Sequence, residues 1–246
     1  MKVCGCVLAY NEAPDKYEEP LLADVLDVLK NTERNGIIAH SFLVDDGSTD
    51  CTAEWARYKG VEVLSHIAYD GKPNNRGKIG GFLTAVGYAK LLEADVILFT
   101  DADMINLRVW DFKDILDYFS ENVDMVRTPS FQGESYCSAS FSGFRAIKMD
   151  ALKDLWDEKS LNHDMWTRLL CPNSISRNNE IRTNGYGLET MLEFLIPNSA
   201  EIPSPLQSRK ISGGACNYDE LVYGIQEAKG LIELVKFRKS RGIRVW

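Results

Sequence analysis

Two aspartates one residue apart, Asp101-Ala102-Asp103, close an apolar run that starts at Val96. In an α/β sheet, chemistry collects just beyond the carboxyl end of such a strand. Two carboxylates placed there oppose each other's ionisation. A hard divalent cation that keeps waters and also holds a phosphate relieves that conflict. A second acidic pair, Asp45-Asp46, ends another apolar run and leads into Gly47-Ser48-Thr49-Asp50-Cys51-Thr52. Gly47 permits a tight turn there, and Ser48, Thr49 and Asp50 are able helix N-caps. Turn and cap chemistry accounts for the glycine and the hydroxyls, but not for adjacent aspartates. A third stretch, Asp70-Gly71-Lys72-Pro73-Asn74-Asn75-Arg76-Gly77-Lys78, is cationic. Between a strand and a helix it can reach over a diphosphate. The fourth, Gly185-Tyr186-Gly187-Leu188-Glu189, puts a carboxylate at the start of an apolar helix. The helix dipole alone would favour it there. A lone D-x-D is more often a solvated acidic turn; the set carries the reading.

Alternating elements must position these groups. Lys2 to Ala9 reads as a strand that runs into the polar segment Tyr10-Asn11-Glu12-Ala13-Pro14. Leu21 to Leu29 has helical spacing, and Gly36 stops that helix. Ile37 to Val44 is a strand, Ala53 to Tyr58 a helix and Val61 to Ser65 a short strand. A helix starting near Gly80-Gly81 carries Leu83, Val86, Leu91 and Leu92 inward, and Val96 to Phe99 is a buried strand. The β-α-β-α-β-α-β order predicts a mostly parallel, Rossmann-like sheet flanked by helices.

The chain has 246 residues, 45% hydrophobic, enough for one large domain or two intimate halves. A formal net charge of −8 and a pI near 5.0 argue against nucleic acid as a partner. No apolar run reaches the length of a membrane span, and Met1 to Leu8 turns into a strand too soon for a signal peptide. The six cysteines lack paired C-x-x-C spacing. They read as reduced, mostly buried thiols of a cytoplasmic protein.

Leu8-Ala9-Tyr10-Asn11-Glu12, the Asp45 to Thr52 segment, Asn75-Arg76-Gly77-Lys78 and Asp101-Ala102-Asp103 stand in one register. As a set they resemble the family 2 glycosyltransferases of the GT-A fold, including the polyprenyl-phosphate sugar transferases. The resemblance implies a nucleotide-diphosphate sugar as donor and a divalent metal, Mg or Mn. It places the nucleoside on Ala9, Tyr10, Asn11 and Glu12, with Asp46 bonding the base. It puts Arg76 and Lys78 near the diphosphate. Asp103 becomes the metal ligand, and Asp101 contacts ribose or metal-bound water, with Ala102 between them. A dinucleotide fold is a poor rival, since it wants G-x-G-x-x-G directly after the first strand. Residues 1–104 are then the donor half and 105–246 the acceptor half of one domain.

In the second half, Val109 to Ser120 reads as a helix and Val123 to Thr128 as a strand. Gly143 is followed by a helix from Ile147 to Trp156, and Leu161 to Leu170 is helical. By resemblance, the serine-glycine before that helix walls the acceptor site and Glu189 faces the acceptor. With a hydroxyl acceptor Glu189 is the expected base; with a polyprenyl phosphate it only binds. Glu201 to Pro205 reads as a strand. Gln207 to Gly214, with Arg209 and Lys210, resembles a mobile loop over the diphosphate. No late histidine is present, so the third metal ligand falls to Gln207 or water. The basic tail from Lys229 to Trp246 has an apolar face, used by packing on the body or by peripheral contact with an anionic membrane. The resemblance implies inversion at the anomeric carbon, although retaining enzymes of this fold also carry a glycine-tyrosine-glycine-x-glutamate stretch.

Overall fold

The computed structural model describes residues 1–13, 18–132, 135–137, 143–155, 188–189, 192–193, 196–202 and 206–208. The chain opens with β1 (Val3–Ala9), α1 (Leu21–Arg34), β2 (His40–Asp45), α2 (Thr52–Tyr58), β3 (Glu62–Ser65), α3 (Gly77–Leu91) and β4 (Val96–Asp101). It continues with β5 (Met104–Ile105), α4 (Val109–Asp117), β6 (Met125–Arg127), β7 (Ser130–Gln132), β8 (Ser135–Cys137) and β9 (Arg145–Lys148). A 3₁₀ helix (Met149–Leu155) follows, then β10 (Ser199–Glu201) and β11 (Leu206–Ser208).

The main sheet runs β10-β6-β9-β4-β1-β2-β3. Strands β4, β1, β2 and β3 are mutually parallel, as the β-α order requires. Their register decides the site. Ala9 is level with Asp45, Asp45 with Ser65, and Leu8 with Asp101. Four motif-bearing strand ends therefore open on one rim.

Burial on both faces explains the near-continuous apolar strands. Cys4, Cys6, Phe42, Val44, Ile97 and Phe99 pack with Phe82 and Val86 of α3. Val3, Val7, Leu43, Val96 and Leu98 pack with Leu22, Leu26 and Leu29 of α1 and Phe112 of α4. Alternation along each strand separates the two layers. Cys4, Cys6 and Cys51 are free thiols, the first two fully buried.

Several expected boundaries move. Strand β2 begins at His40, because the Ile37 N–H still bonds Thr32 O at the end of α1. The helix expected over Val109 to Ser120 ends at Asp117. Helix α3 begins at Gly77, a turn earlier than Gly80, and so takes Lys78 into its first turn. Leu91, expected inside, is 79% exposed; Phe82, Ala85, Val86 and Ala89 fill the buried face instead. Of the helix expected over Ile147 to Trp156, Ile147 and Lys148 instead end strand β9, inserted antiparallel between β4 and β6, while Met149–Leu155 is helical as a 3₁₀ turn. Ala146 faces Leu98 on one side and Val126 on the other, so pairing on both edges overrides local helical spacing. The strand expected at Glu201 starts at Ser199. Gln207 and Ser208, expected in a loop, form β11 with Ile105 and Met104. The expected helix over Leu161 to Leu170, Arg209 to Gly214 and the basic tail lie outside the described residues. No described helix is long and apolar enough to cross a membrane.

Candidate active site

The Asp45 to Thr52 segment braces the end of β1. Ser48 Oγ accepts from the Asn11 N–H, and Asn11 Oδ1 accepts from the Thr49 N–H, both at 2.9 Å. Thr52 Oγ1 accepts from the Glu12 N–H at 2.9 Å. Asp50 splits its carboxylate: Oδ2 takes the Ala13 N–H at 2.9 Å, and Oδ1 takes the Thr52 hydroxyl at 2.6 Å. Asn11 stands at φ 55°, a left-handed position that asparagine tolerates. Tyr10, 44% exposed, and the half-buried Glu12 are thus held at the rim on a fixed backbone. Ala9 is buried beneath them.

The next turn carries Asp45 and Asp46. Asp45 Oδ1 accepts from the Ser48 N–H at 2.9 Å and closes the turn. Gly47 has φ 75°, and a Cβ there would lie 2.5 Å from the Asn74 nitrogen. Only glycine lets this turn seat against the basic loop. Asp46 is buried, and its Oδ1 meets the Arg76 N–H at 2.8 Å and the His66 Nδ1 at 2.7 Å. Arg76 itself is exposed. Asp46 therefore ties the basic loop to the sheet.

Lys78 is the hub on the other side. Its Nζ is 3.0 Å from Asp101 Oδ1 and 2.6 Å from Glu189 Oε1. Burial by itself would lower the lysine's pKa, but Asp101 and Glu189 together hold it well above the ordinary value. Glu189 is 5% exposed and helical with Leu188. Behind the pair lies Arg145 of β9, buried, with Glu189, Glu193 and Asp101 supplying opposite charge. Asp101 rests directly on Gly143, where a Cβ would come within 1.9 Å of Asp101 Oδ2.

Asp103 is half-buried, Ala102 is buried, and the pair sits immediately before β5. Burial, then Asp103, Asp101 and Asp50, push the Glu12 carboxyl up to about 7, with Lys78 opposing. That crowding of negative charge fits a cation at Asp103. Among the described residues, no three histidine, cysteine, aspartate or glutamate side chains form a metal cage by themselves. A donor set of one or two carboxylates suits a cation that keeps waters and phosphate oxygens.

The fold thus brings Tyr10, Asn11, Glu12, Asp46, Lys78, Asp101, Asp103 and Glu189 to one rim. Arg209 lies outside the described residues. Sequence reasoning passed over His66 and Arg145. His66 follows the end of β3 as Asp46 follows the end of β2, and that position was the available signal. Arg145 stands just before the helix expected from Ile147, at a place where strand β9 was not expected.

Residues 5–157 match the family description glycosyl transferase family 2. An uncharacterised protein of Methanocaldococcus jannaschii is 36% identical over 86 residues, 35% of this chain and 31% of that protein. The match therefore spans about a third of that relative. Glucosyl-3-phosphoglycerate synthase of Mycobacterium tuberculosis, in complex with phosphoglyceric acid, superposes with a TM-score of 0.61 at 18% identity. That superposition covers 94% of this chain and 79% of the other. The same enzyme with Mn²⁺ and UDP-glucose gives 0.58 at 17% identity, covering 99% and 80%. These likenesses confirm the GT-A architecture. They also correct the expected branch: the fold runs with glucosyl-3-phosphoglycerate synthase, not with polyprenyl-phosphate sugar transferases. The stretch that resembled that branch, Arg209 to Gly214, lies outside the described residues. With 153 of its 246 residues inside that description, the chain belongs to glycosyl transferase family 2.

Proposed function

We propose that the protein transfers a hexosyl group from a nucleotide-diphosphate sugar to a hydroxyl of a small acceptor, with Mg²⁺ or Mn²⁺. The observation that carries this reading is the Lys78 hub. It joins the basic helix start, the D-x-D strand end and Glu189 at one rim. The nucleoside lies on Tyr10 to Glu12 and Asp46, and residues 1–104 form the donor half. Residues 105–246 receive the acceptor. The superposed synthase is known with UDP-glucose and with phosphoglyceric acid, which supports UDP-glucose as the first donor to try and a phosphorylated hydroxy acid as acceptor.

Charge stabilisation on the departing diphosphate is the main catalytic task. Asp103, with Asp101, would hold the cation, which supplies positive charge to the leaving group when bound. Lys78 stands beside Asp101 and adds a fixed positive charge on the same side. The transition state resembles an oxocarbenium ion. Glu189 takes the acceptor proton as the acceptor oxygen bonds the anomeric carbon from the face opposite the diphosphate. The diphosphate's bond to that carbon breaks, and this single displacement gives inversion.

A second reading is favoured by one distance. Glu189 Oε1 lies 2.6 Å from Lys78 Nζ, so a proton arriving there must compete with the lysine. In that reading Glu189 orients Lys78, and stereochemistry is set elsewhere.

Thermal shift with UDP and GDP, with and without Mn²⁺, tests the donor site. A nucleotide at a hundred times its dissociation constant should stabilise the fold by about 2.7 kcal/mol. Asp103→Ala should abolish the metal-dependent part. No shift with either nucleotide in Mn²⁺, and none lost in Asp103→Ala, would sink the reading.

A further inference from the structure

His66 is a buried side chain to which the reading above gives no role. It is 5% exposed. Its N–H donates to Asp45 O at 2.9 Å, and its carbonyl accepts from the Asn74 N–H at 3.0 Å. Its ring joins two elements. Nδ1 lies 2.7 Å from Asp46 Oδ1, and Nε2 lies 2.8 Å from Thr84 Oγ1 in α3. A carboxylate only accepts, so Nδ1 carries a proton and donates to Asp46. In the neutral ring, Nε2 accepts from the Thr84 hydroxyl. The Arg76 N–H donates to the same Asp46 oxygen at 2.8 Å. Two donors on Oδ1 fix the rotamer and plane of the carboxylate. Oδ2 takes no part in these bonds.

We infer that His66 is a positioning residue of the nucleotide site: pinned by Thr84, it locks Asp46 so that one oxygen meets the base. This rests on the donor-site reading above. An acceptor oxygen fixed in place selects a base with a ring N–H on its pairing edge. Uracil and guanine carry one, whereas cytosine and adenine present an acceptor nitrogen there. An acceptor facing an acceptor forfeits the bond and leaves Asp46 unmatched. A freely rotating Asp46 would discriminate less, because it could turn toward an exocyclic amine.

Calorimetric titration with UDP, GDP and CDP in Mn²⁺ tests this on the full chain. The unaltered protein should bind UDP or GDP about tenfold or more tightly than CDP. His66→Asn keeps an amide donor near the Nδ1 position and should stay within about threefold of it. His66→Gln carries its amide near the Nε2 position, away from Asp46. It should lose about tenfold or more in affinity and narrow the preference over CDP. Equal losses in both variants, or an unchanged His66→Gln, overturn the inference while nucleotide binding stands. So does equal binding of UDP, GDP and CDP by the unaltered protein. If His66→Gln shows no cooperative melt, Thr84→Val carries the test. It frees the ring and should weaken both affinity and preference, and no change in either overturns the inference. Unaltered protein that binds none of the three nucleotides overturns the donor-site reading and this inference together.

Discussion

Glu189 and Glu12 show how neighbours set what a carboxylate at this rim can do. Glu189 shares Lys78 with Asp101, and Arg145 lies behind it. As the base, Glu189→Gln should lower turnover by about 10²–10⁴ with donor affinity nearly unchanged. As an orienting group for Lys78, the same change should leave turnover within about tenfold and act mainly on substrate KM. Steady-state kinetics with UDP-glucose separates the two. Glu12 is different, because burial and then Asp103, Asp101 and Asp50 raise its pKa to about 7 from an ordinary 4.5. The folded state therefore binds a proton that the unfolded chain has released between these values. Stability falls as pH rises from about 4.5 to 7, and the penalty is complete above that. Glu12→Gln removes the ionising group. It should raise Tm at pH 8, by roughly 2–4 °C per kcal/mol relieved, and change little at pH 4.5. An equal Tm change at both pH values would mean that Glu12 titrates normally.

The element that holds the proposed nucleoside side together is the segment between β2 and α2. Its hydroxyls and Asp50 were readable as helix caps, and the structure turns most of them across to the β1 end. Asp50 does both jobs. Oδ1 accepts from the Thr52 N–H at 2.9 Å at the start of α2, and Oδ2 anchors the Ala13 N–H. Asp50→Ala should cost about 1–3 kcal/mol, the range for stranding donors at a cap and a buried turn. Chemical denaturation should register that cost as a lower midpoint at unchanged slope. Loss confined to α2 helicity, with nucleotide affinity intact, would make Asp50 a cap alone. At α3, the early start at Gly77 brings Lys78 into the first turn, where it reaches both Asp101 and Glu189.

Across the whole molecule, one sheet carries residues from both proposed halves. Strand β9 crosses into the first half beside β4, and Arg145 enters the site along it. A second, smaller sheet, β5-β11-β7-β8, begins one residue after Asp103. Its β11 pairs Ser208 with Met104 and so brings residues 206–208 beside the D-x-D rim. The proposed acceptor half is thereby anchored where the cation would sit. We take the donor and acceptor halves as a division of labour within one fold rather than two separable units, because β4–β9 and β5–β11 join them.

The parallel core was legible because its strands are buried on both faces, and residues packed that way show their character locally. The motif order was legible for a related reason. In a parallel α/β sheet every strand end emerges at the same rim, so chain order alone places Asp46, Asp101 and Glu12 near one another. What the sequence could not decide depends on long-range contact. Ile147 and Lys148 lead straight into the helical turn Met149–Leu155, yet they pair with β4, and only that pairing makes them strand. Lys78 reads as a loop cation until α3 is extended to Gly77. Gly143 reads as a turn residue until the Asp101 carboxylate is found against it. His66 carries no motif at all. Its role comes from Asp46 and Thr84, 20 and 18 residues away along the chain. Hydrogen bonds over such separations are set by the packing of strand and helix, so only the tertiary structure could bring them out.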